Sequence, residues 1–275
     1  MTTKTSEARP VQGSVFSFAR VADRWIWAFM AALFFVLVLA GFIPDSIHKI
    51  QAVAANQRPP FPWFLHIHGV AMGSWMVLLL GQTLLIGNRR RHWHVSLGVS
   101  SVVLAPLVFA MMVVMAGSTL TKIGAAPATV PLMDISRRIA FVLAVQGRAI
   151  VLFCIFFVWA FRTRRTGPDT HKRMMLLATW VMIDAAIARI PGSRELGNAL
   201  GLTAIGLTSK DDIPHFWMLV VLVPALSYDL IRRGRIHYAW LVGLAMFLPF
   251  AVVAHYLESG PTWWQQFIAG VTGRI

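Results

Sequence analysis

Long apolar runs separated by short polar connections dominate the chain. Seven of them, at 25–43, 61–87, 95–117, 139–161, 174–190, 215–231 and 238–257, come close to the roughly 20 residues that a helix needs to cross a bilayer. The pattern predicts an all-α protein, a polytopic bundle of about seven transmembrane helices. The fifth and sixth runs are shorter and carry Asp184, Arg189 and Asp229, so a tilted, kinked or partly re-entrant element is the alternative there. A polar arm, 1–24, precedes the membrane domain at 25–257. A tail at 258–275 opens with Pro261, Trp263 and Trp264 and reads as an interfacial anchor.

Composition agrees with a lipid environment. Of 275 residues, 57% are hydrophobic and 13% charged, where a soluble domain carries about a quarter charged residues. Lys and Arg outnumber Asp and Glu by 25 to 11, and the resulting charge of +14 is better matched to lipid head groups than to nucleic acid. Its distribution orients the bundle. The arm (Lys4, Arg9, Arg20, Arg24) and the connections holding Arg89 to Arg91, Arg162 to Arg173 and Arg232 to Arg235 carry most of the cations. By the positive-inside rule, that face and the amino terminus are cytoplasmic, in a cell (inner) membrane crossed several times. Cys154 is the only cysteine, so a disulfide framework is excluded.

Polar residues inside the runs are the first candidates for chemistry. His68, Trp75 and Gln82 recur every seven residues, which places them on one helical stripe, with His66 on roughly the opposite side. Gly69 and Gly73 form a G-x-x-x-G pair beside that stripe, read as helix packing. Arg148 and Asp184 lie at similar depths in consecutive runs. An arginine near the bilayer centre costs about 2.5–3.5 kcal/mol on insertion scales, so an Arg148–Asp184 ion pair is expected, either specifying the fold or relaying protons or substrate.

Histidines mark the ends of the runs. His66, His68, His215 and His255 fall at one end, and His92, His94, His171 and His237 at the other. Three hairpins share a basic turn followed by a histidine that opens the returning helix, which suggests a repeated two-helix unit. A histidine beside a basic turn is at its simplest an interfacial residue. Recurrence raises the other reading, neutral imidazoles from different helices gathering at one depth around a metal or haem iron, with arginines facing haem propionates. The cofactor-binding candidates are His68, His94, His171 and His237, the first choice as metal ligands, with His215 and His255 as further outer ligands. Trp75 and Gln82 would orient or insulate the site. On this reading the cofactor is haem b, and a non-haem transition metal or no cofactor at all stands as the alternative.

The run His66-Ile67-His68-Gly69, Trp75, Gln82, the arginine-rich turn before His94, His171-Lys172-Arg173-Met174 and Arg235-Ile236-His237 resembles a group of uncharacterised multi-span bacterial membrane proteins. More distantly it is similar to small histidine-bearing oxidase-assembly proteins and to the cytochrome b561 type, over roughly residues 61–243. The b561 resemblance implies two b haems between consecutive helices, each held by two histidines. This chain departs from that pattern because its fourth run has no histidine, which leaves one haem or a non-haem metal open.

Phosphate-binding glycine loops, C-x-x-C-H and H-E-x-x-H motifs are absent from the sequence, and all five lysines lie outside the runs, which disfavours a retinal Schiff base. The leading expectation is a haem- or metal-binding membrane protein of electron transfer or oxidase-linked maturation, with a redox partner or membrane complex. Its rivals are a proton-coupled or anion transporter using Arg148, Asp184 and Arg189, and a non-catalytic assembly subunit.

Overall fold

The computed structural model describes residues 12–124, 127, 129–207 and 212–273, and every regular element among them is helical. Helix α1 (Gln12–Ala54) starts within the expected polar arm and runs through Pro44 into the expected outer loop. Helix α2 (Trp63–Gly87) is followed by the short α3 (Arg91–Gly98) and by α4 (Ser101–Gly124), which divide the third apolar run between them. Helix α5 (Leu132–Phe141), a π-helical stretch (Val142–Gly147) and α6 (Arg148–Thr163) make one continuous rod. Then come α7 (Pro168–Trp180), α8 (Asp184–Ile187), α9 (Ser193–Ala199), α10 (Asp212–Arg233), α11 (Tyr238–Glu258) and α12 (Thr262–Thr272). The tail is thus a helix, docked on α5 through buried Trp264 and Ile268, with the Trp264 indole donating to the Ser136 carbonyl at 3.2 Å.

Six helical rods are long and apolar enough to span a membrane: the greater part of α1, then α2, α4, α5 to α6, α10 and α11. The fifth apolar run is built differently. Helix α7 ends at Trp180, the amides of Met182 and Ile183 bond three residues back instead of four, and one turn of α8 comes next. Such overwinding rotates the succeeding residues about the helix axis. No Gly or Pro marks the break.

Sidedness is that of a membrane protein. Val70, Val77, Val103 and Val252 stand more than half exposed on the outside, while Arg148, Arg173 and Asp229 are wholly buried. The core runs from Trp27, Met30 and Phe34 on α1 through Trp75 on α2 and Phe153 and Phe156 on α6 to Trp240 and Phe247 on α11. Its centre is α7, buried on every side from Leu176 to Trp180, as a helix encircled by protein must be. Close backbone approach occurs at a glycine outside the G-x-x-x-G pair. A Cβ at Gly41 would run into the Ala186 carbonyl, so α1 touches α8 backbone to backbone; at Gly69 and Gly73 the same atom would meet open space.

Candidate functional site

Apolar helices leave few places for charge, and at two of them the structure buries an arginine against a carboxylate. The first joins three elements. Arg148, the first residue of α6, donates through Nη2 to Asp184 Oδ2 at the start of α8, and its Nη1 lies 2.7 Å from His215 Nε2 on α10. The same His215 nitrogen is 3.4 Å from Asp184 Oδ2. Phe247 of α11 covers the guanidinium face at 4.4 Å and meets the His215 ring edge-on at 5.7 Å. Arg148 is 0% exposed, and Asp184 and His215 are each 6% exposed. Arg148 Nε is buried without a partner.

Local backbone chemistry builds this cluster. The π-helical stretch ends immediately before Arg148, and the overwound turn ends immediately before Asp184. Each irregularity re-aims the next side chain, and departures of this kind concentrate at functional sites. Trp180 secures the turn by donating to the Met218 carbonyl at 2.8 Å, with its ring 4.5 Å from Phe247. Arg189 is placed elsewhere: its Nε lies 3.3 Å from Asp45 on α1.

The second network lies at the basic end. Arg173 on α7 grips Asp229 on α10 with two nitrogens, Nε at 2.8 Å from Oδ2 and Nη2 on Oδ1. Oδ2 also accepts from the Trp240 indole at 2.9 Å and from the His237 amide at 3.4 Å. Arg173 and Asp229 are both fully buried. Around them Asp169 pairs with Lys172 and Arg233, and those cations hold its carboxyl well below the usual range against the opposing effect of burial. Sequence reasoning treated Arg173 as an orienting loop cation and left Asp229 unpaired. The missed signal was Asp229 itself, a carboxylate within an apolar run that requires a cation.

The histidines separate. His94 and His171 lie within electrostatic reach of one another at the basic end, and burial pushes the His94 imidazole below its ordinary pKa. The Gln82 amide bridges α2 to α3, its nitrogen donating to the His94 carbonyl at 3.0 Å and its oxygen accepting from the Gly98 amide at 2.9 Å, while His94 Nδ1 lies between that amide nitrogen and the Gln82 backbone carbonyl, 3.3 Å away. His237 caps α11, its Nδ1 accepting from the Ala239 amide at 3.2 Å. With Nδ1 accepting, the proton of the neutral His237 ring sits on Nε2. His171 is the reverse: its Nδ1 donates to the Ala160 carbonyl at 2.9 Å, leaving the Nε2 lone pair free, as in ligating imidazoles. His68 lies toward the far end of α2 beside the Met111 backbone and does not meet His215 or His255. His255 pairs with Asp212 at 3.0 Å. Trp75 sits in the core, donating to Thr179 Oγ1 at 3.0 Å, away from every histidine of the basic end.

An imidazole-held haem or metal therefore finds one prepared ligand, His171, with His94 beside it at the basic end. Among the described residues no group of three or more His, Cys, Asp or Glu side chains is placed to hold a metal ion. Compared with known proteins, the chain matches no family model, no curated protein and no solved structure.

Proposed function

We propose that the chain is a proton-coupled transporter of the cytoplasmic membrane, with Arg148, Asp184 and His215 as its working site. The bundle crosses seven times with its basic end in the cytoplasm, the segment from α7 to α8 being the fifth crossing. Two sets of contacts support that count. Asp169, at the start of the segment, pairs with Arg233, while Arg189, just past its end, pairs with Asp45; the matching positions on α1 are Asp23, which pairs with Arg232, and Asp45 itself.

The observation that carries the reading is the burial of an Arg–Asp–His network where two helices depart from regular geometry. Ionisable groups inside a bilayer are costly and mark ion and proton pathways. A network needed only for folding would not require a titratable imidazole that both the arginine and the carboxylate reach. The test is proton flux into liposomes holding a pH-sensitive dye, under an imposed gradient. Wild type is expected to dissipate the gradient, Arg148→Met/Asp184→Leu to run at least about 100-fold slower, and His94→Gln/His171→Gln to keep its rate. A double variant at Arg148 and Asp184 with wild-type flux would sink the reading.

A second reading keeps the chain in electron transfer or oxidase-linked maturation, with haem b or a non-haem metal held by His171 and His94 and a redox partner at the basic end. The carbonyl-anchored Nδ1 of His171 supports it. Its test is the visible spectrum of the purified protein, oxidised and then reduced. A Soret band that disappears in His171→Gln is the expected result, and a protein with neither haem absorption nor bound transition metal overturns it.

A further inference from the structure

An arginine side chain only donates hydrogen bonds, so the 2.7 Å contact between Arg148 Nη1 and His215 Nε2 requires a lone pair on that nitrogen. The ring is then neutral, with its hydrogen on Nδ1. The 3.4 Å approach of the same Nε2 to Asp184 Oδ2 becomes a hydrogen bond only when Nε2 carries a hydrogen. The two contacts exclude one another. A proton arriving on Nε2 moves His215 from accepting from Arg148 to donating to Asp184, and Arg148 Nη1 loses its partner. Arg148 Nε has none to begin with.

Charge changes in the same exchange. With His215 neutral the cluster holds one cation and one anion; with His215 protonated it holds a net single positive charge in a buried place. Uncompensated buried charge is strongly unfavourable. We propose that the Arg148 site takes up one small monovalent anion together with each proton on His215 Nε2. The anion lies at the guanidinium edge, on the donors the proton displaces, since Phe247 closes one face of that group. The two species then bind as an electroneutral pair. This rests on the transport reading above.

Other ionisable groups around His215 are already paired or carried by neighbouring elements. Asp212 on its own helix meets His255 of α11, and Asp45 of α1 meets Lys49 and Arg189. Helix α9 carries Arg194 and Glu195. Arg148 and Asp184 both reach the ring's Nε2.

The detergent-purified full chain would be titrated with sodium chloride, nitrate or formate against gluconate at equal ionic strength, at pH 5 and at pH 8. At pH 5 at least one small anion is expected to raise the thermal midpoint by about 3 °C for each tenfold excess over its dissociation constant. Close to one proton should be taken up per anion bound in weakly buffered solution. At pH 8 the anion should bind at least about tenfold more weakly. His215→Gln keeps a polar side chain that both accepts and donates but cannot titrate, and should lose proton uptake and the pH dependence together. Should that variant fail to fold, wild-type proton stoichiometry decides alone. Anion binding without proton uptake, equal binding at both pH values, or no binding by any of the three would overturn the proposal. Anion-linked proton uptake without liposome flux would keep this site and remove transport, whereas flux without anion-linked uptake would do the opposite.

Discussion

Asp229→Ala is expected to destabilise the folded protein by about 3–5 kcal/mol, the cost of leaving a buried charge without its partner. The substitution removes one carboxylate and strands the groups that converge on it: two nitrogens of a fully buried Arg173, the Trp240 indole and the His237 amide. Trp240→Phe removes one donor and should cost about 1 kcal/mol through the lost hydrogen bond. Reversible denaturation in mixed micelles would measure both. Arg173→Met/Asp229→Leu, which removes both charges, should recover most of the loss. Stability of Asp229→Ala within about 1 kcal/mol of wild type would mean that the guanidinium finds another partner or water.

Asp184→Leu should cost a similar amount, again about 3–5 kcal/mol, because it leaves Arg148 charged, buried and stacked on Phe247. Arg148→Met/Asp184→Leu is expected to restore stability while abolishing proton flux, so that stability and transport part company. A fold-specifying pair would show no such division: flux would return with the fold. A double-mutant cycle supplies the coupling energy, which for contacting buried partners falls at about 0.5–3 kcal/mol.

What the sequence made legible tracked the size of the penalties involved. Insertion cost made the apolar runs plain and forced Arg148 to seek Asp184, and the two meet in the structure. The third partner was less visible. In the sequence His215 reads only as a further outer ligand of a cofactor, and nothing in one dimension shows that α10 turns it onto Arg148. Arg173 was hidden by its neighbours, since beside Arg162, Arg164, Arg165 and Lys172 it counted as one more loop cation. The ends of the runs that the histidines occupy were readable, but their tautomers were not, because these depend on the Gln82 amide, the Ala239 amide and the Ala160 carbonyl. Glycine spacing pointed to Gly69 and Gly73, whereas the tight crossing is at Gly41, where no motif stands. The break after Trp180 lacks a helix breaker, so only packing against Met218 and Phe247 and the demand of Arg148 for Asp184 reveal it.

The segment from α7 to α8 contributes one member to each charged network: Arg173 near its beginning and Asp184 just past the overwound turn. The rest of α7, Met174 to Trp180, and the overwound turn form a stiff shaft between them, gripped by Trp75 through Thr179 and by Leu177 against Gly243. Sliding or twisting that shaft would disturb the guanidinium clasp on Asp229 and the carboxylate docked on Arg148 in one movement. An event at either mouth of the bundle thus has a mechanical route to the other, carried by the piece of chain that the surrounding helices enclose most completely.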